Sequence, residues 1–490
     1  MIGVIWVFQS FNLLEIILNL LLLLIEIVGF SFAFYLVYMI AGAFQFHANN
    51  VSLSQKESDF PFFSIIIPSH GTSFLILEET LLGALNIKYN NYEIIVSDNG
   101  QDPIVTNLLK TFCEENKIMF FHKDDTRGFK AGNINAVLNK TKGEYIVILD
   151  SDHIPVPSLL KEFAKMLGSK KNNSSDDIGF IQAKVSYRNA SRLYQKANSI
   201  LYSQFFEVFE AGKHNRGMVL FNGSTGCFRK KILVEEGGFS EQTLIEDIDT
   251  SMKILCKNYS GNYLNFVGSK GLVPETAKKQ VAQLWRWAHG ACSILRLRTR
   301  TIFASRLKAL EKGELILNAM AFFSGISVVA LIITLALLIN FQMNFLRPSI
   351  LGIHTGLIMP SLVGLFFSIS SILAIIWEER QQNLFSRLLQ LIPFYLFSLG
   401  AFIFLISGVV EGLMLKNTPQ SEGRVWNRQI HTIRDSLIIL GVSLLIVFIG
   451  IVGVLNNFSG GFGWFVIGGA LSWMLAPLVL LWEEANPPEN

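Results

Sequence analysis

Tyr145-Ile-Val-Ile-Leu149-Asp-Ser-Asp152 is a run of five apolar residues that stops abruptly at two carboxylates. A strand with no polar member has no face to offer water, so it must be covered on both sides, as in a parallel sheet held between helix layers. Two similar runs precede it, Phe63-Ser-Ile-Ile-Ile67 and Tyr92-Glu-Ile-Ile-Val96. Helical stretches at Leu77–Leu85 and Asn133–Leu138 alternate with these strands. The alternation predicts an α/β fold, a mainly parallel sheet with helices on both faces, as one domain over residues 51–300. The polar stretch Gly168–Asp177 reads as a surface connection within it.

The rest of the chain reads as membrane. Its 490 residues include 40 phenylalanines, and its mean hydropathy of +0.41 is high for a soluble protein. The net charge of +3 is too small for a nucleic-acid binder. Four cysteines, without CxxC spacing, read as reduced thiols and form neither a zinc site nor a disulfide framework. Leu13–Phe44 is nearly unbroken apolar sequence, so residues 1–50 are predicted to hold an uncleaved transmembrane helix. Glu15 and Glu26 interrupt it, the first at headgroup depth and the second facing protein or an interface. The first lysine or arginine is Lys56, so the positive-inside rule places the following domain in the cytosol, at the plasma membrane.

Residues 301–314 mix Arg306, Lys308 and Lys312 with Leu, Ile and Phe, the pattern of an interfacial amphipathic helix that meets membrane lipids. Apolar spans follow at roughly 315–341, 350–377, 386–413, 436–455 and 463–482. Placing the charged segments Glu378–Arg387 and Lys416–Arg434 on one side leaves 386–413 entering and leaving by the same face. Pro393 and Gly400 interrupt that segment, which makes a re-entrant or in-plane helix pair an alternative to a full span.

Chemistry concentrates at strand ends and one helix. Asp150 and Asp152, at i and i+2 after a strand, suit a hard divalent cation, and ligands of open α/β sheets bind at that edge. Acidic strand ends are also common without a ligand. Pro68-Ser-His-Gly71 and Asp98-Asn-Gly100 follow strands at the same edge, as ordinary turns or as a nucleotide pocket. Arg127-Gly-Phe-Lys130-Ala-Gly-Asn133 offers cations and a backbone able to approach phosphate. Glu246-Asp247 either adds helix N-terminal charge or supplies a general base. Gln283, Arg286 and Trp287 share a helix face that presents an amide, a guanidinium fork and a flat ring. A Trp-Arg pair near a membrane also serves as an interfacial anchor.

In this order the motifs resemble the processive membrane branch of glycosyltransferase family 2, the cellulose, hyaluronan, chitin and mannan synthases. Lys130-Ala-Gly-Asn-Ile-Asn135 is similar to its KAGNxN block, Asp150-Ser-Asp152 to DxD, and Gln182 to the VQ position. Gly223-Ser224 resembles the acceptor turn, Ile245-Glu246-Asp247 resembles TED with isoleucine for threonine, and Gln283–Trp287 resembles QxxRW. The resemblance implies a GT-A fold and an inverting transfer from a nucleotide-diphosphate hexose, with a UDP-sugar expected and Mg or Mn as cofactor. It implies donor contacts from Pro68, Asp98, Lys130, Asp150, Gln283 and Arg286, and a metal on Asp152 with Asp150. Asp247 is the implied base with Glu246 beside it, and Gly223, Ser224 and Trp287 meet a growing glycan or lipid acceptor. Asp98-Asn-Gly-Gln-Asp102 departs from the family's usual acidic pattern and leaves the nucleotide open. Lys416-Asn-Thr-Pro-Gln420 matches a gating loop only loosely. Two alternatives stand beside this reading: transfer of a single sugar to a lipid, and a transporter with a nucleotide-sensing domain.

Overall fold

The computed structural model describes residues 13–48, 61–169, 178–340, 349–350, 353–378, 384–414, 432–455 and 462–485. The gating-like segment Lys416–Gln420, the turn Asn456–Gly461 and most of the polar stretch 168–177 lie outside the described residues.

Residues 61–271 are built on an eight-stranded sheet in the order β3-β2-β1-β4-β7-β6-β8-β5. Its strands are β1 (Phe63–Ser69), β2 (Tyr92–Asp98), β3 (Met119–His122), β4 (Tyr145–Ile148), β5 (Ile154–Pro155), β6 (Ile178–Tyr187), β7 (Gly226–Arg229) and β8 (Ser260–Gly271). The first four run parallel; β7 is antiparallel to both β4 and β6, β6 and β8 are again parallel, and β5 closes the edge antiparallel. The sheet is therefore mainly parallel, with two reversed strands.

Side chains alternate along each strand, and the two resulting sets build two cores. Ile66, Ile95, Ile146 and Ile148 pack with Ala131, Ile134 and Val137 of one helix layer. Ile65, Ile67, Ile94, Val96, Val147 and Leu149 pack with Leu77, Leu81, Leu109 and Phe163 of the other. Both faces are covered, as the unbroken apolar strands require.

The long helix Leu13–Ala48 spans 36 residues, about 54 Å at 1.5 Å per residue, which exceeds a ~30 Å bilayer core. Its first half exposes Leu20, Leu24, Ile27 and Phe30, whereas Met39 and Ala43 are fully buried in the core beneath the sheet. There Gly42 lies against the Gly212 carbonyl so closely that a Cβ would sit 2.3 Å from the oxygen. Glu15 and Glu26 are both buried, on the side that carries Leu18, Leu22 and Ile25 into the helix bundle.

Three stretches among the described residues are long and apolar enough to cross a membrane: Leu13–Ala48, Arg434–Val452 and Val466–Ala485. Shorter apolar helices occupy Leu362–Trp377 and Phe404–Met414. Two expectations change. Residues 301–314 are not one helix: Ala277–Ala304 ends at Ser305, and a new helix, Ala309–Ala319, begins after the Lys308 N–H donates to Glu311 Oε2 at 2.7 Å. The segment around Pro393 is not broken either. Leu391–Met414 is a continuous 24-residue helix in which Pro393 occupies the first turn, where a missing N–H leaves no bond unmade.

Candidate active site

The strand edge gathers the motif residues around one ammonium group. Lys130, in the helix Phe129–Leu138, places Nζ 2.5 Å from Asp150 Oδ1 and 3.9 Å from Glu246 Oε1. The same nitrogen donates to the Gly223 carbonyl at 2.6 Å. Gly223 has φ +97°, and a Cβ there would lie 3.0 Å from Asp247 Oδ2. Glycine is thus required twice, by conformation and by space. Ser224 Oγ accepts from the Asp150 N–H at 2.9 Å, and Gln182 Oε1 accepts from the Asn222 N–H at 3.0 Å. Gln182 Nε2 donates to the Ser224 carbonyl at 2.9 Å, so the turn is held from both sides.

Ser151 anchors the acidic turn to the helix Phe74–Leu85. Its hydroxyl lies 2.8 Å from Thr72 Oγ1, and its carbonyl accepts from Thr80 at 2.9 Å. Asp150, Asp152 and His153 thereby present ligand atoms within 4.8 Å of one another. Burial raises the Asp152 carboxyl above the usual range, and Asp150 adds to the rise against His153. Burial also acts to raise Asp150, but Lys130, His153 and Arg286 together hold it below the ordinary value. Among the described residues, the buried Nδ1 of His153 has no hydrogen-bond partner. Two carboxylates and an imidazole are a donor set that fits a divalent cation such as Mg or Mn. His153 was not among the expected ligands, although it directly follows the acidic pair.

Asp247 sits in the first turn of the helix Glu246–Cys256. Its carboxyl is pushed up to about 7 by burial and by the neighbouring Glu246 charge, against the lowering pull of Lys130, the Ile248 N–H and Arg286. Arg286 is exposed, and its charge acts on both Asp150 and Asp247, so it belongs to the same electrostatic centre.

Asp98 lies apart from this cluster, at the end of β2. It is 2% exposed and accepts from His122 Nδ1 at 2.9 Å and from Thr106 at 3.3 Å. A cleft beside it is lined by Gly100, Gln101, Pro103, Thr106, Asn107, His122 and Asp124. Asn133 ties this end to the Lys130 helix by donating to Asn99 Oδ1 at 2.9 Å and to the Ser69 carbonyl at 3.0 Å. Pro68 is buried inside β1, beyond its last pairing with β4 (Ile66 with Ile148).

Residues 145–414, more than half of the 490, match a family model described as glycosyl transferase family group 2. The chain belongs to that family. It is a glycosyltransferase, and the transporter alternative falls. Among curated relatives it is 27% identical over 316 residues to the cellulose synthase 1 catalytic subunit (UDP-forming) of Komagataeibacter xylinus, covering 63% of this chain and 41% of the relative. It is 28% identical over 299 residues to the cellulose synthase catalytic subunit (UDP-forming) of Xanthomonas axonopodis pv. citri, covering 59% of this chain and 40% of the relative. The match thus spans well under two thirds of these relatives. Among solved structures, a mannosyltransferase from Pyrobaculum calidifontis, in complex with GDP-Man and Mn2+, aligns with a TM-score of 0.52 at 16% identity. The alignment covers 82% of this chain and all of that one, and shows a shared fold.

In this glycosyltransferase the QxxRW residues ride on Ala277–Ala304, a helix fixed on two sides. Arg298 grips the fully buried Asp249 of the Glu246–Cys256 helix through Nε at 2.6 Å and Nη2 at 2.8 Å. Trp285, between the expected site residues, turns away from them and donates from Nε1 to Ser407 at 3.1 Å. Gly408 and Gly412 let the apolar helix Leu391–Met414 approach the Trp285 and His289 carbonyls, where a Cβ would lie 3.0 and 2.4 Å away. On the site side, Gln283 Oε1 accepts from Tyr202 OH at 3.0 Å. The Tyr202 ring meets Trp287 edge-on with centroids 6.3 Å apart, and Tyr187 packs 4.2 Å from Tyr202. Tyr202 is 81 residues from Gln283, and no local motif marks it.

Proposed function

We propose that this glycosyltransferase is an inverting, metal-dependent enzyme that polymerises a polysaccharide from a UDP-hexose on the cytosolic side of the plasma membrane and passes the product between its helices. The observation that carries the chemistry is the convergence on Gly223. Asp247, with its carboxyl near 7, faces the Gly223 turn, while Lys130 links that turn to Asp150. An acceptor hydroxyl seated at Gly223-Ser224 meets a base able to take its proton at neutral pH as the oxygen bonds to the anomeric carbon and the diphosphate departs from the opposite face. Gln283 and Arg286 orient that diphosphate, with Tyr202 fixing the amide. Asp150, Asp152 and His153 would hold the cation, which when bound supplies positive charge to the diphosphate. Asp98, held by His122 and Thr106 behind the cleft that those two residues help line, is the proposed carboxylate for the base.

The UDP-forming relatives support a uridine donor, and the Mn2+ in the Pyrobaculum enzyme supports a divalent cation. Release of nucleotide from a panel of UDP- and GDP-sugars with Mg or Mn, followed by sizing of the glycan, tests the reading. UDP release and a product many sugars long are expected. A single sugar on lipid, or activity only with GDP-sugars, would overturn polymerisation or the donor assignment respectively.

Trp287→Ala tests the acceptor side. Losing the ring next to Tyr202 is expected to slow elongation about tenfold, the equivalent of ~1.4 kcal/mol and of the order of one aromatic contact. UDP affinity should stay near wild type. A collapse of UDP binding with normal elongation would reassign Trp287 to the donor.

A further inference from the structure

The Lys130 motif was expected to meet the donor's phosphates, yet its ammonium is already engaged by the protein. It contacts Asp150 Oδ1 at 2.5 Å, donates to the Gly223 carbonyl at 2.6 Å, and stands 3.9 Å from Glu246 Oε1. Asp150 is also one of the three residues whose ligand atoms cluster within 4.8 Å as a cation site. One carboxylate therefore serves two cations, one of them built into the fold. We infer that Lys130 is the resident counter-cation of Asp150 and yields it only when a divalent cation arrives together with a nucleoside diphosphate, so that cation and donor load as a unit.

The inference rests on the metal reading of the acidic turn proposed above. Its physical basis is charge balance. A divalent ion entering alone meets a carboxylate already neutralised at 2.5 Å, and its own charge opposes the ammonium beside it. A diphosphate brings the negative charge that removes this opposition and gives the ammonium a second partner. Lysine suits the exchange, because its three donors rotate on a flexible stem and can leave one oxygen for another while keeping the Gly223 carbonyl. Lys130 is then a positioning residue that reports donor loading to the acceptor turn. Binding of cation and nucleotide becomes mutually favourable, and by linkage each tightens the other by the same factor.

The experiment measures Mn2+ affinity of the full chain in detergent by the electron spin resonance of free Mn2+, without and with UDP. Wild type should bind Mn2+ weakly alone and much more tightly with UDP. Lys130→Met should bind Mn2+ alone at least tenfold more tightly than wild type, and the gain produced by UDP should shrink. Lys130→Arg keeps the charge and should stay near wild type for Mn2+ alone. Lys130→Gln serves as a second neutral variant, and thermal unfolding checks that each variant is folded. Folded neutral variants that bind Mn2+ alone no better than wild type would overturn the inference. Failure of the underlying metal reading would show separately, as Asp152→Asn binding Mn2+ like wild type.

Discussion

Asp152→Asn is expected to abolish UDP release, by at least ~10³-fold, with the fold intact. That loss is the scale on which preorganised charge at a leaving group contributes to catalysis. The amide keeps the shape of the side chain but cannot supply the anionic oxygen that a hard cation prefers. The carboxyl's own environment argues that folding will not suffer. Burial, with Asp150 close by, raises Asp152 above the ordinary carboxylate range. A carboxyl raised on folding contributes its stability at low pH and loses it as pH climbs through the folded value, so at neutral pH the ionised form weighs against the fold. A neutral asparagine removes that burden, and the unfolding temperature should hold or rise. Mn2+ titration, UDP release and thermal unfolding on one preparation check all three parts. Full turnover in the variant, or in wild type with excess chelator, would rule out the metal site.

The sheet and the order of the site residues were legible because each has a local signature. Continuous apolar strands demand two covering layers, and Ile66 and Ile65 do point into separate cores. The acidic pair, the Lys130 helix, the Gly223 turn and Glu246-Asp247 each end or begin an element, and the sheet edge brings them together. What escaped the sequence was set by partners far away along the chain. Tyr202 reaches Gln283 across 81 residues, and Arg298 reaches Asp249 across 49. After the helix end at Ser305, the new helix start is fixed by the Lys308 N–H donating to the Glu311 carboxylate, which the mixed apolar and basic pattern on either side conceals. The opposite error arose at Pro393, where a residue that breaks helix interiors sits in a first turn and breaks nothing. His153 had a signal, adjacency to the acidic pair, but only its ring placement distinguishes a third donor from a strand-end histidine.

Asp247→Asn is expected to lower turnover by ~10²–10⁴, the usual worth of general-base catalysis, with UDP affinity nearly unchanged. Glu246→Gln should cost less, and its main effect should be on the pH profile. Burial and then the Glu246 charge lift the Asp247 carboxyl to about 7. Only the ionised form accepts a proton, so kcat/KM in wild type should rise as pH climbs through about 7 and level off above it. Replacing Glu246 by a neutral amide removes the second of the raising influences while Lys130, the Ile248 N–H and Arg286 still pull downward. The acid limb must then move to lower pH, and Glu246→Gln should retain activity where wild type has begun to lose it. A merely structural role for Glu246 would change the height of the profile but leave its limb in place. If instead Glu246→Gln is dead and Asp247→Asn turns over normally, the proton goes to Glu246, whose carboxylate lies 3.9 Å from the Lys130 ammonium.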